Sequence, residues 1–478
     1  MLVEIKNIDF QDYKFVIAGS GPAAISLALG LKKKTKEKIL ILEAGNFEFD
    51  DESQTHYEGK SVNNCGLGNL DERRIRAFGG TTMVWGGMCR PLDKQDYKSW
   101  PINKSELMPY TENAYKFLKV RKTIKSDLNL NENFNLIDFK WSEPKLNINE
   151  DYKDYLIKDK QLDLLIETAV LSIDGTNKVE HVEVYNSNLK RYYKFIPRIF
   201  ILACGAVENS RILLTSKYKS NKGFLKNLEI GTEFQIHPKI EVGKSIVTMD
   251  EIKNKFNLDY FNFDRETFYI APTEKLISEE RIGNVGCRVL INKYSQKHKE
   301  LLKELLCVAP TYANKILSLI NENVDCAQIR FLCLFENERL RENRVSLDFQ
   351  NLDTHGNPKA KLTMNLNEND KRTIRIFMEH LGKYFIDQNL GRIGVGEFYY
   401  NDKLQWDEVG QGGSHQMGGT RMGIGPNDSV VDKNLKIHNV NNFYVLGSSV
   451  FPSSGHANPT LTICQLAFRL SKHLTSIT

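Results

Sequence analysis

Unbroken apolar runs mark some stretches of this chain and strict alternation marks others, and each pattern predicts its own kind of sheet. Residues 15–18 (FVIA) have no polar break, as expected of a parallel strand buried on both faces. A glycine turn follows, and the apolar positions then take helical spacing at Ile25, Leu27, Ala28 and Leu31. Residues 38–45 (KILILEAG) read as a second such strand, closing on Glu43. Residues 195–216 repeat the order of strand, turn through Ala203-Cys204-Gly205-Ala206, and helix. Residues 442–453 add another strand that enters Gly447. Together these pieces predict one doubly wound parallel sheet, assembled from the beginning, middle and end of the chain.

The stretch from about 235 to 400 differs. Residues 343–350 (NRVSLDFQ) alternate, residues 361–366 (KLTMNL) supply a partner, and the turn residues DTHGNP at 353–358 lie between them. That is a hairpin of a mostly antiparallel sheet with one packed face. The expected fold class is therefore α/β, α+β overall: a discontinuous Rossmann-type domain plus a second domain on a mostly antiparallel sheet. The expected division is 1–234 for the main nucleotide part, 235–405 for the substrate domain, and 406–478 for a tail returning to the first domain. There is no internal repeat and no low-complexity linker.

Bulk properties narrow the class without choosing a chemistry. A chain of 478 residues needs two or three domains or subdomains. With 41% hydrophobic and 26% charged residues it has the composition of an ordinary globular protein. Sixty-five basic groups against 60 acidic leave a slight excess, and the one lysine-rich run, residues 32–38, reads as a solvated helix end, so nucleic acid is not an expected partner. Charges recur every few residues in the first twenty, unlike a secretory signal, and no segment has the roughly twenty apolar residues that span a bilayer. The eight cysteines are scattered without C-x-x-C or zinc-ligand spacing, which reads as reduced thiols in a cytoplasmic protein. No metal is expected.

The strongest local signal is the glycine turn. Gly19, Gly21 and Ala24 occupy the three places of the dinucleotide fingerprint between strand and helix. Gly19 permits the tight turn, Gly21 lets a pyrophosphate approach the backbone, and Ala24 is small enough for close helix–strand packing. Pro22 and Ala23 open a helix whose amides and dipole suit phosphate. Glu43, about two dozen residues on, sits where an acid accepts hydrogen bonds from the adenosine ribose. Strand, glycine turn, helix, strand and acid in this order point to nucleotide binding.

Five motifs in order resemble the glucose–methanol–choline (GMC) oxidoreductases, which are FAD-dependent. They are GSGPAA with LEAG, FGGTTMVWGGMCRPL at 78–92, the tryptophan–proline region at 99–118, ACGAVENSRILL, and the pair SHQMGGTRMG and GHANPTLTI near the end. Within the family the pattern is similar to pyranose oxidases and bacterial sugar dehydrogenases. The resemblance implies FAD contacts at the fingerprint and at Glu43 and Ala44. It implies others in the flavin segment at Gly79, Gly80, Thr81, Val84, Trp85, Gly86, Gly87 and Met88. Val170, Ala203 and Gly205 follow, then Gly447 and Ser448, then Ala457, Asn458, Pro459 and Thr460. Pyranose-oxidase-like relatives carry a flavin-bonding histidine in the flavin segment. The matching position here is Val84, which has no nucleophilic atom, so dissociable FAD is expected. His237, in QIHPKI, matches a recurring histidine–proline and is expected to shape a turn near the cofactor.

Alcohol oxidation needs a base for the hydroxyl proton, a hydride acceptor, and a polar group to hold the oxygen. The resemblance places the base at His415 and the partner at Asn458. Asparagine cannot take a proton at neutral pH but can donate an amide hydrogen to the substrate oxygen. Asn458 before Pro459 is also what a helix start looks like, and a capping side chain cannot also hold substrate. Gln416 and His456 are candidate substrate contacts, His456 being also an alternative partner of His415, while Thr420 and Arg421 are expected to brace the loop or approach the cofactor. The implied activity is oxidation of an alcohol on a sugar, aminosugar, glycoside or polyol, by hydride transfer to flavin N5, with oxygen, a quinone or a redox protein as acceptor. The alternatives are a flavin-containing lyase of the same fold and a non-catalytic FAD-binding or electron-relay protein. A nicotinamide-linked flavoprotein is disfavoured, since neither a second fingerprint nor a redox cysteine pair is present.

Overall fold

A computed structural model describes residues 1–120, 126–256, 267–293, 326–401, 405–412 and 414–477. Parts of the expected substrate segment thus lie outside the described residues, as does Cys307.

Five parallel strands form the first sheet, in the spatial order Phe443–Val445, Ile199–Leu202, Tyr13–Ala18, Lys38–Leu42, Leu162–Leu165. Numbered along the chain this is 5-4-1-2-3, the doubly wound order read from one edge. The strands are almost wholly buried, which is why they read as unbroken apolar runs. Helix Pro22–Lys32 packs on this sheet beside the last helix, Pro459–Ser476. Gly30 makes that contact possible, because a Cβ there would meet the Ser471 hydroxyl at 2.7 Å. A three-stranded antiparallel meander, Thr168–Gly175, Val179–Asn186 and Arg191–Phe195, follows the fifth strand of the spatial order.

The second sheet is antiparallel throughout. Its long strands are Pro238–Thr248, Cys326–Phe335, Val285–Lys293 and Thr267–Pro272. Alternate residues Val285, Cys287, Val289, Ile329, Phe331 and Cys333 face a core shared with helix Glu368–Asp387, through Ile374, Phe377, Leu381 and Phe385. The other face carries Tyr269, Ala271 and Gly286 toward the nucleotide domain, as the approach of Gly286 to His456 shows.

Sheet membership cuts across the expected division at 234 and 405. The antiparallel sheet also takes Phe134–Ile137 and Leu128–Asn129 from the first segment and Gly410–Gly412 from the tail. The expected hairpin exists, as Arg344–Leu352 and Pro358–Met364, but it forms its own mixed sheet with Gly59–Asn63. An open strand edge pairs with whatever chain the tertiary fold brings beside it, so alternation predicts the strand and not its neighbour. Among the described residues no helix is long and apolar enough to cross a membrane.

Candidate active site

The strand ends of the parallel sheet build a cradle from three loops. Gly19 has φ +105°, and a Cβ on it would lie 2.4 Å from the Ala203 carbonyl. The first and fourth strands therefore turn in contact. Gly21, by contrast, caps the helix that begins with Pro22, and a Cβ there would meet nothing within 4 Å. The same openness surrounds Gly205, the cap of helix Ala206–Lys219, and Gly86. Helix amides that look onto open space beside small residues suit a pyrophosphate. Ala23 and Ala24 are buried in the helix as the fingerprint requires. Gly80 brings the flavin segment to within 3.6 Å of the Gly21 Cα by its Cβ position, and Gly79 N–H donates to Ser20 Oγ at 3.0 Å.

Glu43 stands at the end of its strand, buried. Its carboxylate accepts from Ser20 Oγ at 2.5 Å and from the Gly45 N–H at 2.8 Å. Burial pushes its pKa up, against those two donors. Ala44 follows at the rim, and Val170 lies on the first meander strand. Asn209, which the sequence reading passed over, ties the cradle together. Its Oδ1 accepts from Cys204 N–H at 2.8 Å, and its Nδ2 donates to Leu446 O at 3.2 Å and Ser449 Oγ at 2.9 Å. A fully buried asparagine can be satisfied only by such polar loop edges. The donor set and the open glycines fit FAD.

In the flavin segment, Trp85 donates Nε1–H to the Leu146 carbonyl at 2.7 Å, and the Tyr269 hydroxyl reaches Met88 Sδ at 3.8 Å. Thr81, Val84 and Gly86 are exposed and Gly87 has φ +79°. Val84 is 63% exposed, and it offers only carbon atoms.

His415 and the GHANP loop meet through His237. The chain around Gln235 pairs with Met417 in both directions, N–H to O at 2.8 and 2.9 Å. Continuing that antiparallel register by two residues sets His237 across from His415. Their Nδ1 atoms are 2.9 Å apart, and their rings cross at 84°. The far nitrogen of His237, Nε2, lies 3.2 Å from the carbonyl of Ser454. The expectation that His237 merely shapes a turn is thus corrected: the ring is fully buried and touches the candidate base. His415 itself keeps part of its surface accessible, and burial of the rest pushes its pKa down to about 4.

The two tail segments also run side by side. Gly418 N–H donates to Ser448 O, Thr420 N–H to Ser449 O and Met422 N–H to Val450 O, all at 2.9 to 3.0 Å. Ser448 Oγ donates to the Gln416 carbonyl at 2.6 Å, and Gln416 keeps its side chain partly accessible. Arg421 pairs with Glu233, as a bracing residue would. Gly447 enters this pairing at φ +133°.

Asn458 occupies the N-cap position of helix Pro459–Ser476, ahead of Thr460, but its side chain makes no capping hydrogen bond. Of the two roles that compete for it, the structure leaves capping unfilled. Ala457 before it is buried.

His456 is 1% exposed, and its Nε2 meets Asp93 Oδ2 at 3.0 Å. Its other nitrogen points at Gly286, where a Cβ would come within 2.5 Å. Instead of a substrate contact, His456 is one end of a buried network. Arg90 donates to Asp93 at 2.7 Å and to both oxygens of Asp127, and Asn284 donates to Asp93 and Asp96. Burial pushes Asp93 up, and Arg90 with His456 more than reverses this, holding it well below the usual carboxylate range. Asp96 is raised by burial and by the charge of Asp93. No group of three or more metal-binding side chains occurs among the described residues.

Comparison with known proteins places these features. Residues 340–467 match the C-terminal family model of the GMC oxidoreductases. Fructose dehydrogenase large subunit of Gluconobacter japonicus is 21% identical over 63% of this chain and 51% of its own length. 6'''-Hydroxyparomomycin C oxidase of Streptomyces lividus is 22% identical over 64% and 50%. 2-Methyl-1,2-propanediol dehydrogenase of Mycolicibacterium austroafricanum is 25% identical over 58% and 48%. The match thus spans about half the length of these relatives. Pyridoxine 4-oxidase from Mesorbium loti shares the fold, with a TM-score of 0.57 at 13% identity over 96% of this chain and 99% of that one. The C-terminal part of the chain thus matches the GMC oxidoreductase family model, and the chain as a whole shares the fold of pyridoxine 4-oxidase.

Proposed function

We propose that this protein oxidises an alcohol group to a carbonyl with His415 as base and Asn458 as the group that holds the substrate oxygen. The observation that carries this reading is that each of the two side chains keeps hydrogen-bonding capacity. Among the described residues the imidazole of His415 has one hydrogen bond, to His237, and it keeps accessible surface elsewhere. The carboxamide of Asn458 is left uncapped at a helix start. FAD, held by the glycine cradle and Glu43, supplies the hydride acceptor when bound. His415 is neutral at pH 7, since burial has lowered its pKa, and so stands ready to take the hydroxyl proton. Asn458 donates an amide hydrogen to the same oxygen and fixes the direction of the carbon-bound hydrogen. The start of helix Pro459–Ser476 adds positive potential beside it.

The substrate reading is a sugar, aminosugar, glycoside or polyol. Its support is the set of relatives, named for fructose, for 6'''-hydroxyparomomycin C and for 2-methyl-1,2-propanediol. A panel of hexoses, glycosides, aminosugars and simple alcohols, mixed anaerobically with the FAD-loaded protein, tests it. Flavin bleaching by a polyhydroxylated member is the expected result. A cyanohydrin cleaved without bleaching favours the lyase instead, and inertness to the whole panel favours a non-catalytic flavoprotein. Admitting air afterwards separates an oxidase from a dehydrogenase that needs another acceptor.

Two further results are expected. Acid precipitation releases the yellow colour into the supernatant, because Val84 offers no atom for a covalent bond to flavin; colour in the pellet contradicts dissociable FAD. Asn458→Ala lowers the rate of anaerobic flavin reduction by about tenfold or more, on the scale of about 1–3 kcal/mol for a lost polar contact. It leaves the melting temperature nearly unchanged, whereas a true cap would cost about 1 kcal/mol. A clear drop in melting temperature with normal reduction would return Asn458 to a capping role.

A further inference from the structure

We propose that His237 is a positioning residue that holds His415 in the Nδ1–H tautomer, so that the Nε2 lone pair is the one presented to the substrate hydroxyl. This deepens the reading of His415 as base and rests on it.

The Ser454 carbonyl can only accept, so His237 Nε2, 3.2 Å away, carries a proton. A neutral imidazole has one N–H, which leaves His237 Nδ1 as an acceptor. The proton in the 2.9 Å contact between the two Nδ1 atoms must then come from His415. Neutral His415, having spent its single N–H in this way, has a bare Nε2. The order would reverse only if His237 were doubly protonated. His237 is fully buried, and burial together with His415 pushes its pKa well below the usual histidine range. Direction is therefore imposed by a backbone carbonyl through one imidazole on the next.

The arrangement differs from a carboxylate behind a histidine. When His415 takes a proton, its Nδ1–H still donates to a neutral acceptor, and among the described residues no carboxylate bonds the cation. That agrees with a base of low pKa. Among the described residues, the other ionisable groups near the pair have partners of their own. Arg73 reaches Ser414 Oγ at 3.4 Å, His456 is held by Asp93, and Glu336 faces the Gly455 N–H at 3.4 Å. None of these bonds His415. His237 sends no proton onward, since its Nε2 is already spent on Ser454, so the proton from substrate stays on His415.

The tautomer is read directly by NMR of the FAD-loaded protein labelled with nitrogen-15 in histidine. His415 is expected to show a protonated Nδ1 and an unprotonated Nε2, and His237 the reverse. His237→Phe removes the acceptor. His415 should then lose its single tautomer, and anaerobic flavin reduction should slow by about 10–100-fold with FAD retained. His237→Asn offers a carbonyl oxygen near the place of Nδ1 and should restore the tautomer and most of the rate. His237→Asp puts a charge there and should move the acid limb of the pH profile to higher pH, because the carboxylate favours the His415 cation. A proton on His415 Nε2 in the wild-type protein overturns the proposal. So does an Asn variant that matches the Phe variant in tautomer and rate. Should the Phe variant not fold, the wild-type spectrum and the acid limb of the Asp variant decide. The tautomer needs no turnover, so it stands or falls separately from the role of His415 as base, which His415→Ala tests.

Discussion

His415→Ala will leave the protein folded and FAD-loaded while slowing anaerobic flavin reduction by an alcohol at least about a hundredfold, the usual scale for a lost general base. Folding should survive because the loop does not depend on this side chain. Its segment is held by backbone bonds of Met417, Gly418, Thr420 and Met422 to Gln235, Ser448, Ser449 and Val450. FAD should stay because the cradle glycines, Glu43 and Asn209 lie on other loops. The pH dependence follows from the lowered pKa of about 4. His415 is deprotonated, and so competent, through the neutral range and down to about pH 5. The rate should fall only as the pH passes through about 4, where the ring takes a proton from solvent instead. Stability carries the same group with a definite sign. Its pKa is about 6.5 in the unfolded chain and lower in the folded one. The unfolded chain therefore binds more protons between pH 6.5 and 4, and this contribution to stability is complete above 6.5 and declines as the pH falls through that window. Normal bleaching by the variant, or a rate that collapses already at pH 6, contradicts the assignment.

Asp93→Ala is expected to give the largest loss of stability, about 3–5 kcal/mol by denaturant unfolding, the range for breaking a buried charge pair from one side. Asp93 accepts from Arg90 at 2.7 Å, from Asn284 at 3.2 Å and meets His456 at 3.0 Å, all in the interior. Without it, Arg90 keeps Asp127, but His456 loses its side-chain partner among the described residues, in a pocket closed by Gly286. The GHANP loop should loosen as a result, so the variant should also lose flavin reduction rate. Because Asp93 has a lowered pKa, its contribution is complete above about pH 4 and is lost as the pH falls through its folded value. The difference between wild type and variant should therefore shrink in acid. An exposed pair serves as the comparison. Lys98→Ala breaks a contact to Glu274 of 3.9 Å between two half-exposed side chains, and should cost under about 1 kcal/mol. A loss at Asp93 no larger than at Lys98 would mean that the network does not hold the loop.

The parallel sheet, its glycine turn and the final helix were legible in the amino-acid order, because each rests on local periodicity and on short-range sterics. Residues 15–18 read as a buried strand because every position is apolar, and Gly19 because the turn needs φ +105°. Helix Pro459–Ser476 begins where proline after asparagine predicts, and the hairpin 344–364 turns where DTHGNP stands. The family resemblance offered His415 and Asn458 as the pair proposed above. Tertiary structure alone decided what surrounds them. Nothing in the local pattern says that His237, 178 residues before His415, shares a hydrogen bond with it. Nor does it say that His456 is spent on Asp93, 363 residues away, or that Asn458 leaves its helix uncapped. Sheet partners were hidden for the same reason, since Gly59–Asn63 joined the hairpin and Phe134–Ile137 joined the far sheet. Local sequence limits the dihedral angles and the buried face of each segment. Which segments meet is set by the packing of the whole chain, and the direction of each buried proton is settled only by those meetings.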